Sequence, residues 1–183
     1  MIEIRWHGRG GQGGFTVSRL LGMAASLFNG KNAIAFPAFG PERRGAPVLA
    51  FTKIDDEKID DRSEVEFCDY VVIMDETLIN KSLTAGLKDE SVIIINTQHP
   101  EKYSDFYPLP NRIFYIDATQ IALEVLKRPI TNTAMLGALV KVSEVTDLEA
   151  CYQSIDKELN SAIAGKNKKV IERAYNEVKE YQR

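Results

Sequence analysis

His7-Gly8-Arg9-Gly10-Gly11-Gln12-Gly13-Gly14 is the stretch on which the reading of this chain turns. It succeeds a strand-like run from Ile2 to Trp6 and opens an amphipathic helical segment from Phe15 to Phe28. Five glycines within residues 8–14 remove the Cβ atoms that would hold a ligand away from the backbone. No Ser, Thr, Asp or Asn stands where the helix begins, so its first free N–H groups need another partner. An anion suits that place, because the free donors and the positive end of the helix dipole point the same way. Arg9 adds a full charge. The stretch reads as a phosphate-binding turn after the first strand.

Outward from the turn, Asn29 to Asn32 makes a C-cap and reversal, and Ala33 to Phe36 a short apolar strand closed by Pro37. The loop from Phe39 to Pro47 sets Arg43 and Arg44 among glycines and prolines. Val48 to Ile54 predicts a strand, with residues 55–58 turning it towards Ile59 as an antiparallel hairpin. Tyr70 to Met74 and Val92 to Asn96 are unbroken apolar runs suited to the middle of a parallel sheet, and Ile113 to Ile116 is a further strand. Helical spacing runs through Glu76 to Leu87 and Ala118 to Lys127. Asp75, Asn96 and Asp117, at the strand ends, read first as caps for the next segment, although ligands also gather at the carboxyl ends of such strands. In the last third, Asn132 and Thr133 cap a helix reaching Val142. Thr146-Asp147-Leu148-Glu149 has the form of a capping box, and Val170, Ile171, Ala174, Val178 and Tyr181 form one apolar face of a final helix. The expectation is a single domain over residues 1–183: three-layer α/β, mainly parallel sheet, with the glycine turn after the first strand and an antiparallel hairpin excursion.

Bulk properties narrow the function. At 183 residues, 44% hydrophobic and 27% charged, the chain can build a real core. A net charge of −3 gives no global attraction to nucleic acid or an acidic membrane surface. No apolar run approaches the roughly 20 residues that span a bilayer. Arg5, His7 and Arg9 interrupt the N-terminus before a signal sequence develops, so a cytoplasmic protein is expected. Cys68 and Cys151 cannot supply the set of thiolates that a cubane iron–sulfur cluster needs. His7 and His99 lack companions at metal-ligand spacing, and no nucleophile–base pair is evident. His7 adjoins the turn and could bond a ligand, or serve only the fold. Neither a catalytic residue nor a metal site is expected in this chain.

Gly8, Gly10 and Gly13 satisfy the spacing of a dinucleotide fingerprint, but that motif wants an acid at the end of the second strand for the ribose hydroxyls. Ala33 to Phe36 has none. A Walker loop fails as well, since no Gly-Lys-Ser/Thr comes after the glycines. Arg43 and Arg44, on a Gly/Pro loop, suit a phosphate or a partner's carboxylate by bidentate contact. Asn132, opening a helix, could add a neutral hydrogen bond or be no more than a cap.

Three motifs together carry a resemblance. Ile4 to Gly13, Ala35 to Val48 (Ala-Phe-Pro-Ala-Phe-Gly-Pro-Glu-Arg-Arg-Gly-Ala-Pro-Val) and Asn132 to Ala138 (Asn-Thr-Ala-Met-Leu-Gly-Ala) resemble the gamma subunit of 2-oxoacid:ferredoxin oxidoreductases, the pyruvate enzymes (pyruvate synthases) above all. The resemblance runs nearly end to end, departing at Gly14 and Phe15, where small or branched aliphatic residues are expected. It implies a complex with alpha, beta and delta subunits, in which the partner chains carry thiamine diphosphate with Mg and the iron–sulfur clusters. That complex decarboxylates a 2-oxoacid oxidatively, passes electrons to ferredoxin or flavodoxin, and transfers the acyl group to coenzyme A. The gamma chain is implicated in holding coenzyme A, which carries a pyrophosphate and a 3′-phosphate. On that ground Gly8, Arg9, Gly10, Gly11, Gln12, Gly13, Arg43, Arg44 and Asn132 form the expected coenzyme A surface. The alternatives are the same complex acting on 2-oxoisovalerate or 2-oxoglutarate, a purely structural assembly subunit, and a stand-alone NAD(P)-dependent dehydrogenase.

Overall fold

Apolar runs and glycine breaks divide the chain into β1 (Ile2–Arg9), α1 (Gly14–Met23), β2 (Asn32–Pro37), β3 (Pro47–Asp55), β4 (Cys68–Ile73), β5 (Leu87–Asn96) and β6 (Arg112–Ile116). Four helices come next, α2 (Ala118–Leu126), α3 (Asn132–Ser143), α4 (Leu148–Glu158) and α5 (Ser161–Glu177), and then β7 (Lys179–Tyr181). This is a computed structural model that describes residues 1–38, 44–80, 83, 85–106 and 111–182. Among the described residues the strands form one seven-stranded sheet in the order β2-β3-β1-β4-β5-β6-β7. β1, β4, β5 and β6 are mutually parallel, while β3 runs antiparallel to β1 and β2, and β7 antiparallel to β6.

Strand alternation sends side chains to two cores. Ile4, Trp6, Ala50, Val72 and Ile94 face the α-helices, joined by Leu20 and Leu21 of α1, Met135 and Leu139 of α3, and Val170 and Ile171 of α5. Phe51, Val71, Ile73, Ile93 and Ile95 face the other way, under Val65, Leu78 and Leu83. The helical layer thus covers one face, and short turns and irregular segments cover the other. α3 and α5 pack very closely. A Cβ built on Gly137 would collide with the Ile171 carbonyl oxygen, an approach only glycine permits.

Several expected details are corrected. The antiparallel excursion is formed by β2 and β3, and Ile59 lies in no strand. The segment after Asp55 is rich in carboxylates without alternating apolar residues, and Asp61 is taken up by the buried Lys53 ammonium at 2.6 Å. Glu76 to Leu87, in part outside the described residues, shows no α-helix where it is described. Glu76–Leu78 is one turn of 3-10 helix, stopped by Ile79 in an extended conformation (ψ 118°), and Gly86 at φ 75° admits β5. Its helically spaced Ile79, Leu83 and Leu87 serve the second core instead. The capping box is replaced by Asp147, a stronger acceptor than a hydroxyl, which takes the Ala150 N–H at 2.8 Å while Thr146 bonds Asn29. α5 runs from Ser161 to Glu177, and Val178, its C-cap, still packs on the first core with Val170, Ile171 and Ala174; Tyr181 belongs to β7 and to the opposite core.

Candidate functional site

The glycine turn lies at the carboxyl end of β1, where the sheet delivers it to the N-terminus of α1. Gly8 is still inside β1, paired with Val48. Gly11 and Gly13 take φ values of 92° and 79°, the left-handed region that glycine enters without strain. Gly13 is the N-cap of α1 and no side chain caps the helix, so the amides of Gly14, Phe15 and Thr16 come before the first intrahelical bond, from the Val17 N–H to the Gly13 carbonyl at 3.0 Å. This is the donor arrangement expected from the sequence.

The three motifs converge. Gly10 donates to the Ala46 carbonyl at 2.8 Å and accepts from the Gly45 N–H at 3.0 Å, so the basic loop is zipped onto the turn. Arg44 sits in that bridge with an exposed side chain, 3.9 Å from where a Gly11 Cβ would stand. Arg43 lies outside the described residues. From the far end of the chain, the Asn132 amide donates to the Gly13 carbonyl at 3.4 Å, and a Cβ on Gly13 would lie 2.5 Å from its Nδ2. Asn132 is the first residue of α3 and not its cap; its Oδ1 accepts from the Thr133 N–H.

Arg9 behaves differently from a free cation. Its Nε donates to Asp75 Oδ2 at 3.0 Å, and its other nitrogens donate to Gly45 O at 3.0 Å and Thr77 Oγ1 at 2.8 Å. Its charge is therefore balanced inside the protein. Gln12 is held at both ends, donating to Asp75 Oδ2 at 3.1 Å and accepting the Arg9 N–H at 2.8 Å. Burial works to raise the Asp75 carboxyl, but the donors from Thr77 and Gln12 and the nearby Arg9 outweigh it and keep it below the usual carboxylate range. His7 is buried, and Arg5 Nε donates to its Nε2 at 3.0 Å. Burial first, then the Arg5 guanidinium, pushes its imidazole down to about 3, so the ring is neutral.

Beside the turn, a cleft of about 630 Å³ opens along the carboxyl ends of the parallel strands. Its described lining holds Asp75, Glu76 and Asp117 with several amides and hydroxyls, and no Lys or Arg. Such a lining repels a phosphate, whereas the turn beside it has the exposed Arg44 as its neighbour. Asp75, Asn96 and Asp117 keep local duties as well. Asp75 takes the Thr77 N–H, Asp117 takes the Gln120 N–H, and Asn96 bridges Met74 O and Thr119. In sequence Asp75 reads first as a cap, at a strand end where ligands also gather; that it anchors Arg9 and Gln12 has no signal in spacing, since 66 residues separate it from Arg9.

The dinucleotide reading loses its remaining support. In that fold the second strand lies beside the first and presents its acid to the ribose. Here antiparallel β3 lies between β1 and β2, and β2 carries no acid. Among the described residues no group of three or more His, Cys, Asp or Glu side chains is placed to hold a metal ion. Both cysteines are buried and unpaired, and burial, with a smaller effect of Asp147, pushes the Cys151 thiol up to about 12.

Comparison with known proteins gives a consistent result. The family model described as pyruvate ferredoxin/flavodoxin oxidoreductase matches residues 3–177. The chain is 44% identical over 185 residues to the pyruvate/ketoisovalerate oxidoreductases common subunit gamma of Thermococcus kodakarensis, with all of both chains covered. It is 45% identical over 179 residues to pyruvate synthase subunit PorC of Methanocaldococcus jannaschii, covering 97% of each. The crystal structure of pyruvate oxidoreductase subunit PORC from Thermotoga maritima matches with a TM-score of 0.87 at 40% identity, over 99% of this chain and 98% of that one. A 2-oxoglutarate:ferredoxin oxidoreductase from Magnetococcus marinus, solved with 2-oxoglutarate, coenzyme A and succinyl-CoA bound, shares the fold. Its TM-score is 0.78 at 17% identity, covering 96% of this chain and 30% of that one. Matched over nearly its whole length by the family model and by relatives above 40% identity, the chain belongs to the pyruvate ferredoxin/flavodoxin oxidoreductase family.

Proposed function

We propose that this chain is the gamma subunit of a multi-subunit pyruvate:ferredoxin oxidoreductase and that, as one domain, it holds coenzyme A for the reaction its partners perform. The observation that carries the reading is the convergence of the glycine turn, Arg44 and Asn132, the last bonded to Gly13 across 119 residues, on one uncapped helix N-terminus. The free backbone amides of the turn and of the start of α1, with the Arg44 guanidinium, receive the phosphates. Asn132 fixes the turn's carbonyl, and Arg43 adds a second charge from the same loop. The names of the relatives support the complex, and the coenzyme A bound in the solved 2-oxoglutarate enzyme supports the ligand.

In this reading the alpha, beta and delta subunits bring thiamine diphosphate, Mg and the iron–sulfur clusters, and electrons leave to ferredoxin or flavodoxin. The thiamine group supplies the decarboxylation of pyruvate when bound. This chain's residues anchor the phosphate end of coenzyme A so that its thiol reaches the partners' site, a gain of proximity and not of acid–base chemistry. A chain of this role works in the cytoplasm; no described helix is long and apolar enough to cross a membrane. Relatives described as a subunit common to pyruvate and ketoisovalerate oxidoreductases favour a second strand of the reading, that the 2-oxoacid is selected elsewhere in the complex.

The test is Arg44→Ala in the assembled complex. Losing one charge-assisted phosphate contact is expected to raise the KM for coenzyme A about tenfold and leave that for pyruvate unchanged. Equal losses for both substrates would mark the loop as an assembly contact.

A further inference from the structure

We propose that Asp75 is the positioning residue of the glycine turn, setting from the end of β4 the shape in which the turn meets its anion. This rests on the coenzyme A reading and goes further by naming what holds the site in order. One carboxylate has a separate duty for each oxygen. Oδ1 takes the Thr77 N–H at 3.0 Å and the Thr77 hydroxyl at 2.5 Å, which is a local cap. Oδ2 takes Arg9 Nε at 3.0 Å and Gln12 Nε2 at 3.1 Å, which are the two side chains of the turn. Gln12 in turn holds the Arg9 N–H through Oε1. The loop closes as Asp75–Gln12–Arg9–Asp75, with glycine backbone strung across it.

This closure acts in two ways. The glycines give the turn freedom, and Oδ2 is what removes it, so the turn's amides are aimed before a ligand arrives. The same oxygen cancels the charge of Arg9, which leaves Arg44, with no side-chain partner among the described residues, as the cation that meets the ligand. Gly8 belongs to the device, because a Cβ there would stand 3.3 Å from Gln12 Oε1 and crowd the amide in its seat.

Asp75→Asn separates the two duties. Its remaining oxygen keeps the Thr77 cap, while its NH₂ faces two donors, Arg9 Nε and Gln12 Nε2, and binds neither. In the assembled complex this variant is expected to raise the KM for coenzyme A about tenfold with the KM for pyruvate unchanged, and to speed hydrogen exchange at residues 10–14 without coenzyme A present. The double variant Asp75→Asn/Gln12→Glu returns a carboxylate to the loop from the other side, able to accept from the amide introduced at position 75 and from Arg9. Rescue of both readouts to within about threefold of the parent is expected. A merely structural role for Asp75 would not respond to moving the charge across the turn. The proposal is overturned if Asp75→Asn leaves exchange at residues 10–14 unchanged, or if the double variant fails to restore it. Exchange is read without ligand, so it stands even if Arg44→Ala shows that coenzyme A binds elsewhere.

Discussion

At the scale of single residues, the site depends on which polar groups are spoken for. Arg9 and Arg44 look alike in sequence, yet Arg9 is held by Asp75, Gly45 and Thr77, and Arg44 is exposed. Gly13→Ala tests the conformational side of the same point. It puts a Cβ at φ 79° and 2.5 Å from Asn132 Nδ2, so the turn or Asn132 must move. A stability loss of about 1–2 kcal/mol by chemical denaturation is expected, with a larger proportional loss in coenzyme A affinity than in stability. His7 makes a pH prediction with a fixed sign. The unfolded imidazole binds a proton below 6.5, while the folded one resists until about 3, so stability present above 6.5 is lost as pH falls through that window. Between pH 7.5 and 5 this amounts to about 2 kcal/mol. His7→Gln, which can still accept from Arg5 and does not titrate, should show a flatter decline in denaturation midpoint than the parent. A parallel decline would place the proton elsewhere.

Among the elements, the parallel strands were legible because buried strands have to be apolar without interruption, as Val71 to Ile73 and Ile93 to Ile95 are. β1 runs three residues beyond Trp6 because β3 pairs with it as far as Pro47, and a tertiary partner of that kind leaves no mark in local periodicity. β7 escapes a sequence reading for the same reason; its three residues are fixed by pairing with β6 and by the Arg112–Glu180 ion pair at 2.7 Å. The helical spacing of Ile79, Leu83 and Leu87 misleads because residues so spaced also drop into a core from irregular chain and a strand start. For the site, the glycine turn, Arg44 and Asn132 were legible as residue types. The bonds that hold the turn through Asp75 were not, since they join distant segments. Gly137→Ala probes the tightest element contact. A methyl driven into the Ile171 carbonyl forces α3 and α5 apart, with an expected cost of about 2–3 kcal/mol in unfolding free energy and no change in the turn itself.

For the whole molecule, one sheet carries two unlike faces, and its carboxyl edge brings three separate motifs of the chain together. The fold supplies rigidity at β1, β4 and α3, and glycine supplies access, which is what a subunit presenting a ligand to other chains requires. The claim at the centre is that the turn and its basic neighbour receive the phosphates of coenzyme A in the assembled oxidoreductase. The most direct measurement is hydrogen exchange across the purified complex with and without coenzyme A. Slower exchange confined to residues 10–16 and 44–46 is expected. Protection of other subunits alone, with these amides exchanging at the same rate in both samples, would contradict it.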